Sequence, residues 1–178
     1  DRVLHAWLVT WDQTFRPGST FFHRNQEYGF YSLFHLAQAL GKASVIDRRM
    51  HFVVAGNGML RIGQEAAPYP DKATALGPCS VIPREFSNIT CSFIDVSLGT
   101  EQTTKGRKAD VQRNPGPAVA ALEEELRAVP ENQVIAWRDG VRLRRHVGKW
   151  AARPEDKAPV RLRREGVYLI TGGLGGIA

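Results

Sequence analysis

Short runs of β-forming apolar residues alternate along this chain with stretches whose apolar residues recur at helical spacing. That alternation restricts the fold more than any other feature. "RVLHAWLVTW" (2–11) is apolar at Val3, Leu4, Ala6, Trp7, Leu8 and Val9, and "TCSFIDV" (90–96) has the same character. Both read as buried strands. "YGFYSLFHLAQALG" (28–41) sets Phe30, Leu33, Phe34, Ala37 and Leu40 on one helical stripe, with Gly41 as a natural stop. "PGPAVAALEEELRAV" (115–129) does the same with Val119, Leu122, Leu126 and Val129. Asn114, Pro115 and Pro117 mark its start, Pro130 marks its end, and Glu123 and Arg127 form an i, i+4 pair. "DKATALGPCSVIPREF" (71–86) is helix-forming in composition, but Pro78 and Pro83 are expected to kink or break it. Strands alternating with amphipathic helices predict an α/β layer fold with a mostly parallel sheet.

Two hairpins are expected beside that pattern. "MHFVVAGNGMLRIG" (50–63) reads as two short strands about Asn57-Gly58, and "NQVIAWRDGVRLRRHV" (132–147) turns at Asp139-Gly140. Residues 97–114 carry no apolar period and read as a surface loop or linker. A Pro-, Ala- and charge-rich linker (151–165) leads to a last buried strand, Val167 to Ile170.

Charge and cysteine content narrow the function classes. Residues 138–164 hold 10 Lys/Arg against 3 Asp/Glu, so the whole net charge of +6 arises there. A basic stripe can bind phosphates; it equally fits a solvated hairpin and a basic linker that touches neighbouring protein. No zinc-ligand spacing or RNA-binding aromatic motif accompanies it, so nucleic acid is not the expected partner. No apolar run approaches the roughly 20 residues that span a bilayer. Cys79 and Cys91 are too few for a disulfide framework and fit a reducing, cytoplasmic setting. The chain opens at Asp1 without a Met or a signal peptide, and so reads as a piece of something longer.

The strongest chemical signal is the closing "GVYLITGGLGGIA" (166–178). A buried strand running into Thr171, Gly172, Gly173, Leu174, Gly175, Gly176 and Ile177 has the residue types of a dinucleotide loop. Its glycines let backbone N–H groups approach a pyrophosphate at a helix N-terminus. A flexible glycine-rich tail is the alternative. The body of the chain has no second such loop: "DQTFRPGSTFF" follows the first strand, and the glycines at 56, 58 and 63 belong to the expected hairpin. Other catalytic constellations are missing. His5, His35, His51 and His146 are scattered, Cys79 lacks an activating signature, and Ser32 and Ser80 lack a nucleophile elbow. Asp95 ends a strand, where it either serves chemistry or caps the next loop. Trp7, Trp11, Phe30 and Phe34 are expected in the core. No catalytic or metal-binding residue is assigned.

"GFYSLFHLAQALG", "KATALGPCSVIPREF", "CSFIDV", "NQVIAWRDGVRLRRHV" and "GVYLITGGLGGIA", in this order and spacing, resemble the N-terminal structural half of the ketoreductase domain of type I modular polyketide synthases. The resemblance implies a truncated Rossmann-like, short-chain-dehydrogenase-like fold over 1–165 that binds no cofactor and buttresses a second, catalytic subdomain. That subdomain begins within 166–178. Its Thr-Gly-x-x-x-Gly-Ile-Gly pattern falls on Thr171, Gly172, Gly176 and Ile177, with Ala178 where the last glycine stands. In the intact domain the family binds NADPH, and a Ser/Tyr/Lys/Asn set reduces β-ketoacyl thioesters held on an acyl carrier protein. Those residues lie outside this chain, so no cofactor is expected on the chain alone. The implied partners are the catalytic subdomain and neighbouring synthase domains. With only a short linker before "RLRREGVYLITGG", no enoyl reductase insert is expected. Two other readings stay open: a basic binding module for a polyanion, and half of an assembled short-chain dehydrogenase.

Overall fold

A computed structural model describes residues 1–11, 20–43, 48–65, 67, 69–98, 102–103, 111–112, 114–149 and 163–169. They fall into two compact units, Asp1–Arg145 and His146–Ala178.

The first unit is an α/β sheet structure. Strand β1 (Arg2–Leu8) is followed by α1 (Thr20–Gln26), which passes through a π-helical turn (Glu27–Tyr31) into α2 (Ser32–Lys42). Strand β2 (Met50–Gly56) precedes a 3-10 turn (Pro70–Ala75) that leads into α3 (Leu76–Glu85) and β3 (Ile89–Val96). A two-residue antiparallel pair, β4 (Gln102–Thr103) with β5 (Val111–Gln112), lies in the stretch expected as a loop. Helix α4 (Gly116–Arg127), β6 (Gln133–Arg138) and β7 (Val141–Arg144) complete it. The sheet order is β1-β2-β3-β6-β7, with every pair parallel except β6–β7. This is the mostly parallel α/β arrangement that the alternation of strands and helices predicts, in the truncated Rossmann-like form that the resemblance implies.

Both faces of the sheet are covered, but by different helices. On one face Phe52, Val54, Ile89, Cys91, Phe93 and Val134 pack against Leu33 of α2 and Cys79 and Ile82 of α3. On the other, Val53, Ile94, Val96 and Ile135 pack against Ala118 and Ala121 of α4. Every residue of β2 is buried, as a strand between two layers requires. Its neighbours β1 and β3 occupy both of its edges.

That occupancy corrects the first expected hairpin. Asn57-Gly58 does turn, with Gly58 at φ 66°, but no strand returns along β2 because no edge is free. Residues 59–65 instead cross the carboxyl end of the sheet. The second hairpin forms as expected: β6 and β7 meet through Asp139 (φ 50°) and Gly140 (φ 76°), the paired left-handed residues of a type I′ turn.

Helix details also differ from the periodicity. Helix α2 runs through Gly41 to Lys42, and Gly41 faces the Phe86 ring instead of closing the helix. Its buried side holds Leu33, with Leu36, Ala37 and Leu40 packed against the same cluster, while Phe34 is exposed. In α4 the buried ridge is Ala118, Ala121 and Glu125; Leu122 and Leu126 flank it, Val119 faces out, and Val129 lies past the helix end and is exposed. Helix α3 continues through both prolines. Pro78 lies in the first turn, where no N–H is required, and Pro83 is close enough to the end to cost one bond. The π-helical turn brings Gly29 against β1, where a Cβ would sit 3.1 Å from Leu8 Cδ1. Ser32 Oγ donates to the Tyr28 carbonyl there (2.7 Å).

In the second unit, the Gly166 N–H donates to the Arg163 carbonyl at 3.0 Å, and the Tyr168 hydroxyl accepts from the Arg163 N–H. The expected buried strand from Val167 is not formed in the described residues Val167–Leu169, and Val167 and Leu169 are 99% and 93% exposed. A buried strand needs ladder partners, and the described residues of this unit hold no strand.

Candidate functional site

Open α/β sheets bind ligands outside the carboxyl ends of their strands, where neighbouring connections depart to opposite faces. Here the connection after β2 leads to α3 on one face, and the connection after β3 leads to α4 on the other. The carboxyl ends of β2 and β3 are therefore where a crevice belongs.

The chain fills that place itself. Asp95, in β3 and fully buried, accepts the Leu60 N–H at 2.8 Å and the Met59 N–H at 3.3 Å. These bonds pin the loop after β2 over the strand ends. Asp95 thus caps a loop, but the one after β2 and not the next loop after its own strand. Arg138, at the end of β6, locks the arrangement from the far side. Its Nη2 lies 2.8 Å from Asp95 Oδ2, and its Nε lies 2.9 Å and 3.0 Å from the two Glu65 oxygens. It also donates to the carbonyls of Leu60 (3.3 Å), Asp95 (3.2 Å) and Trp137 (3.1 Å). The hydrogen bonds from Arg138 hold the Glu65 carboxyl below the usual carboxylate range. Gly56 makes room for the turn: a Cβ there would lie 2.6 Å from Met59 Sδ and 2.9 Å from Leu8 Cβ.

Lys72 does the same for β1 and β2. Its side chain is fully buried, and Nζ donates to the Leu8 carbonyl (2.9 Å), Thr10 Oγ1 (2.7 Å) and Asn57 Oδ1 (3.0 Å). Nζ also sits 4.3 Å from the centre of the Tyr69 ring. Among the described residues no carboxylate bonds this ammonium directly. Burial pulls its pKa down to about 8, partly opposed by the nearby charges of Asp71 and Asp95. Thr10 is saturated as well: its N–H donates to Asn57 Oδ1 (2.9 Å) and its carbonyl accepts from Asn57 Nδ2 (3.1 Å). In a dinucleotide fold the loop after the first strand offers free N–H groups to a pyrophosphate. Here Thr10 spends its N–H, carbonyl and hydroxyl on Asn57 and Lys72.

The other candidates are structural. His5 Nε2 meets Ser32 Oγ at 2.8 Å; His51 is clamped between Thr90 Oγ1 (2.8 Å) and Ser92 Oγ (3.1 Å). Burial lowers the pKa of both, with Arg2 adding to the effect at His51. His35 stacks on Tyr31, and His146 is exposed. Cys79 and Cys91 are free, buried and side by side in the core; burial and the neighbouring thiol push Cys79 upward, away from a reactive thiolate. Ser80 Oγ donates back to the Leu76 carbonyl at 2.8 Å. Trp7 and Phe34, expected in the core, are 60% and 43% exposed. Trp7 lies on edge strand β1 against Tyr28, and Phe34 stacks on Phe30 along the flank of α2 toward α3. The glycine-loop residues Thr171, Gly172, Gly173, Leu174, Gly175, Gly176 and Ile177 lie outside the described residues. No group of His, Cys, Asp and Glu among the described residues could hold a metal ion, and no described helix is long and apolar enough to cross a membrane.

The basic hairpin is less available than its composition suggests. Arg138 is bound to Asp95 and Glu65, Arg142 Nε sits 2.7 Å from the buried Glu125, and Arg144 is 3.5 Å from Glu131. Glu125 also takes the Trp137 Nε1–H at 2.8 Å. Lys72, Arg138 and Glu65 escaped the sequence reading as site residues, because single charged residues carry no spacing that marks their partners, and Asn57 was read only as a turn residue.

No family model and no curated protein matches the sequence. The fold is similar to part of a solved chain, the adenylation, ketoreductase and pseudo-Asub multidomain structure of a keto acid-selecting NRPS module. The TM-score is 0.61 at 20% identity, over 79% of this chain and 10% of that one. At that identity the likeness is one of fold, and it spans about a tenth of the other chain's length.

Proposed function

We propose that this chain is the structural, cofactor-free half of a ketoreductase from a type I polyketide synthase, followed by the first residues of the catalytic half. In the intact domain the catalytic half takes NADPH and reduces β-ketoacyl thioesters carried on an acyl carrier protein. The observation that carries this reading is the self-filled carboxyl edge. Lys72 and Arg138 stand where a nucleotide-binding sheet presents a crevice and free donors. The fold likeness to a ketoreductase-containing module supports it. Residues 1–165 then serve packing and docking, and Thr171 to Ile177 supply N–H groups to the pyrophosphate only when a following helix is present. No step of the reduction is assigned to any residue of this chain.

Titration of the 178-residue chain with NADPH, followed by nicotinamide fluorescence and calorimetry, tests the reading. The expected result is no saturable binding up to about 1 mM. A micromolar Kd, about −8 kcal/mol, would refute it.

A further inference from the structure

One surface remains unexplained by a packing and docking role at the sheet edge. Helices α2 and α3 enclose a groove of about 480 Å³ lined chiefly by Phe30, Phe34, Val81, Phe86, Gly41 and Gly77, and uncovered among the described residues. Phe34 is 43% exposed and Val81 47%, with Tyr31 beside them at 44%. The two glycines form the floor: a Cβ on Gly41 would meet only the Phe86 ring, at 3.6 Å, and one on Gly77 only the Phe30 ring, at 3.8 Å. The face therefore carries protruding apolar side chains beside a recess.

Size bears on what such a face can hold. Aromatic side chains present about 150–250 Å² each when fully exposed. At the exposures above, and with the partly exposed Phe30, Ala37 and Phe86 added, the apolar area comes to roughly 400 Å². An ordinary interface of about 800 Å² per partner, a little over half of it apolar, needs roughly 450 Å². The patch matches one such interface. A twofold interface uses the same patch on both partners and so must be complementary to itself. Knobs at Phe34 and Val81 beside a recess at Gly41 and Gly77 meet that requirement, and helix pair against helix pair is a regular packing geometry.

We propose that the α2–α3 face closes against the same face of a second copy of this chain. The inference does not rest on the ketoreductase reading. Sedimentation velocity and light scattering on the 178-residue chain between about 1 and 100 µM test it. The expected species is about 40 kDa, twice the 19.8 kDa of one chain, with a Kd near or below about 10 µM. Phe34→Asp and Val81→Asp, both at exposed positions, are each expected to weaken association at least about 30-fold, with the far-ultraviolet circular dichroism spectrum unchanged. Val119→Asp, 49% exposed on α4 of the opposite face, is expected to leave the dimer intact. A 20 kDa species at 100 µM would overturn the proposal and give the face to a different protein. So would a dimer that survives both Phe34→Asp and Val81→Asp.

Discussion

Replacing Arg138 by Met tests the account of the filled sheet edge most directly. Methionine keeps much of the apolar stem and removes every donor. Asp95 is fully buried and Arg138 only 16% exposed at the side chain, so their 2.8 Å contact is an interior ion pair. Removing one partner of such a pair costs about 3–5 kcal/mol, because the remaining charge is left uncompensated. Asp95 keeps the Leu60 and Met59 N–H groups, which places the loss near the lower end of that range. Glu65, about a third exposed, returns to water and adds close to nothing. The expected cost is therefore about 3–4 kcal/mol, a large share of the stability of an ordinary domain. With an m-value of about 2 kcal/mol/M, the urea midpoint falls by roughly 2 M. Unfolding of Arg138→Met, Asp95→Asn and the double variant, followed by far-ultraviolet circular dichroism, isolates the pair term. A coupling of at least about 2 kcal/mol is expected. A loss under about 1 kcal/mol for Arg138→Met, or a coupling near zero, would show that the backbone donors alone hold Asp95.

Two further outcomes follow from the same edge. Lys72 titrates at about 8 in the folded chain against 10.5 when unfolded, so between those values the unfolded state binds more protons and stability rises with pH. The gain is at most about 3 kcal/mol and is expected to be absent in Lys72→Met; equal pH profiles for the two proteins across pH 8 to 10.5 would refute the assignment. Gly56→Ala places a methyl 2.9 Å from Leu8 Cβ as well as against the more yielding Met59, and is expected to destabilise by about 1–3 kcal/mol; a thermal midpoint unchanged within 1 °C would refute the close approach.

Local chemistry in the sequence carried the fold class. Alternation of β-forming runs with helical stripes demanded crossovers and hence parallel strands, and Asp139-Gly140 could turn only as the β6–β7 hairpin does. The same kind of signal at Asn57-Gly58 misled, because a turn residue specifies a bend and not the partner beyond it. What the chain does after that bend depended on β1 and β3, more than 30 residues away on either side, having taken both edges of β2. Periodicity likewise located α2 and α4 but shifted their buried faces: Phe34 and Val119 are apolar enough for a core, yet the space against the sheet went to Leu33, Ala118 and Ala121. The charged groups were the least legible. Lys72 and Arg138 look in sequence like any surface residues, and Asp95 is marked only by its place at a strand end. They are buried because the tertiary fold brings the Leu8 carbonyl, Asn57 and the Leu60 N–H within hydrogen-bond reach of them, and a buried charge is stable only where such partners converge. The sequence by itself determined the main strands and helices of the layered α/β unit. The three-dimensional packing alone decided that the ligand end of that sheet is occupied by the protein's own side chains.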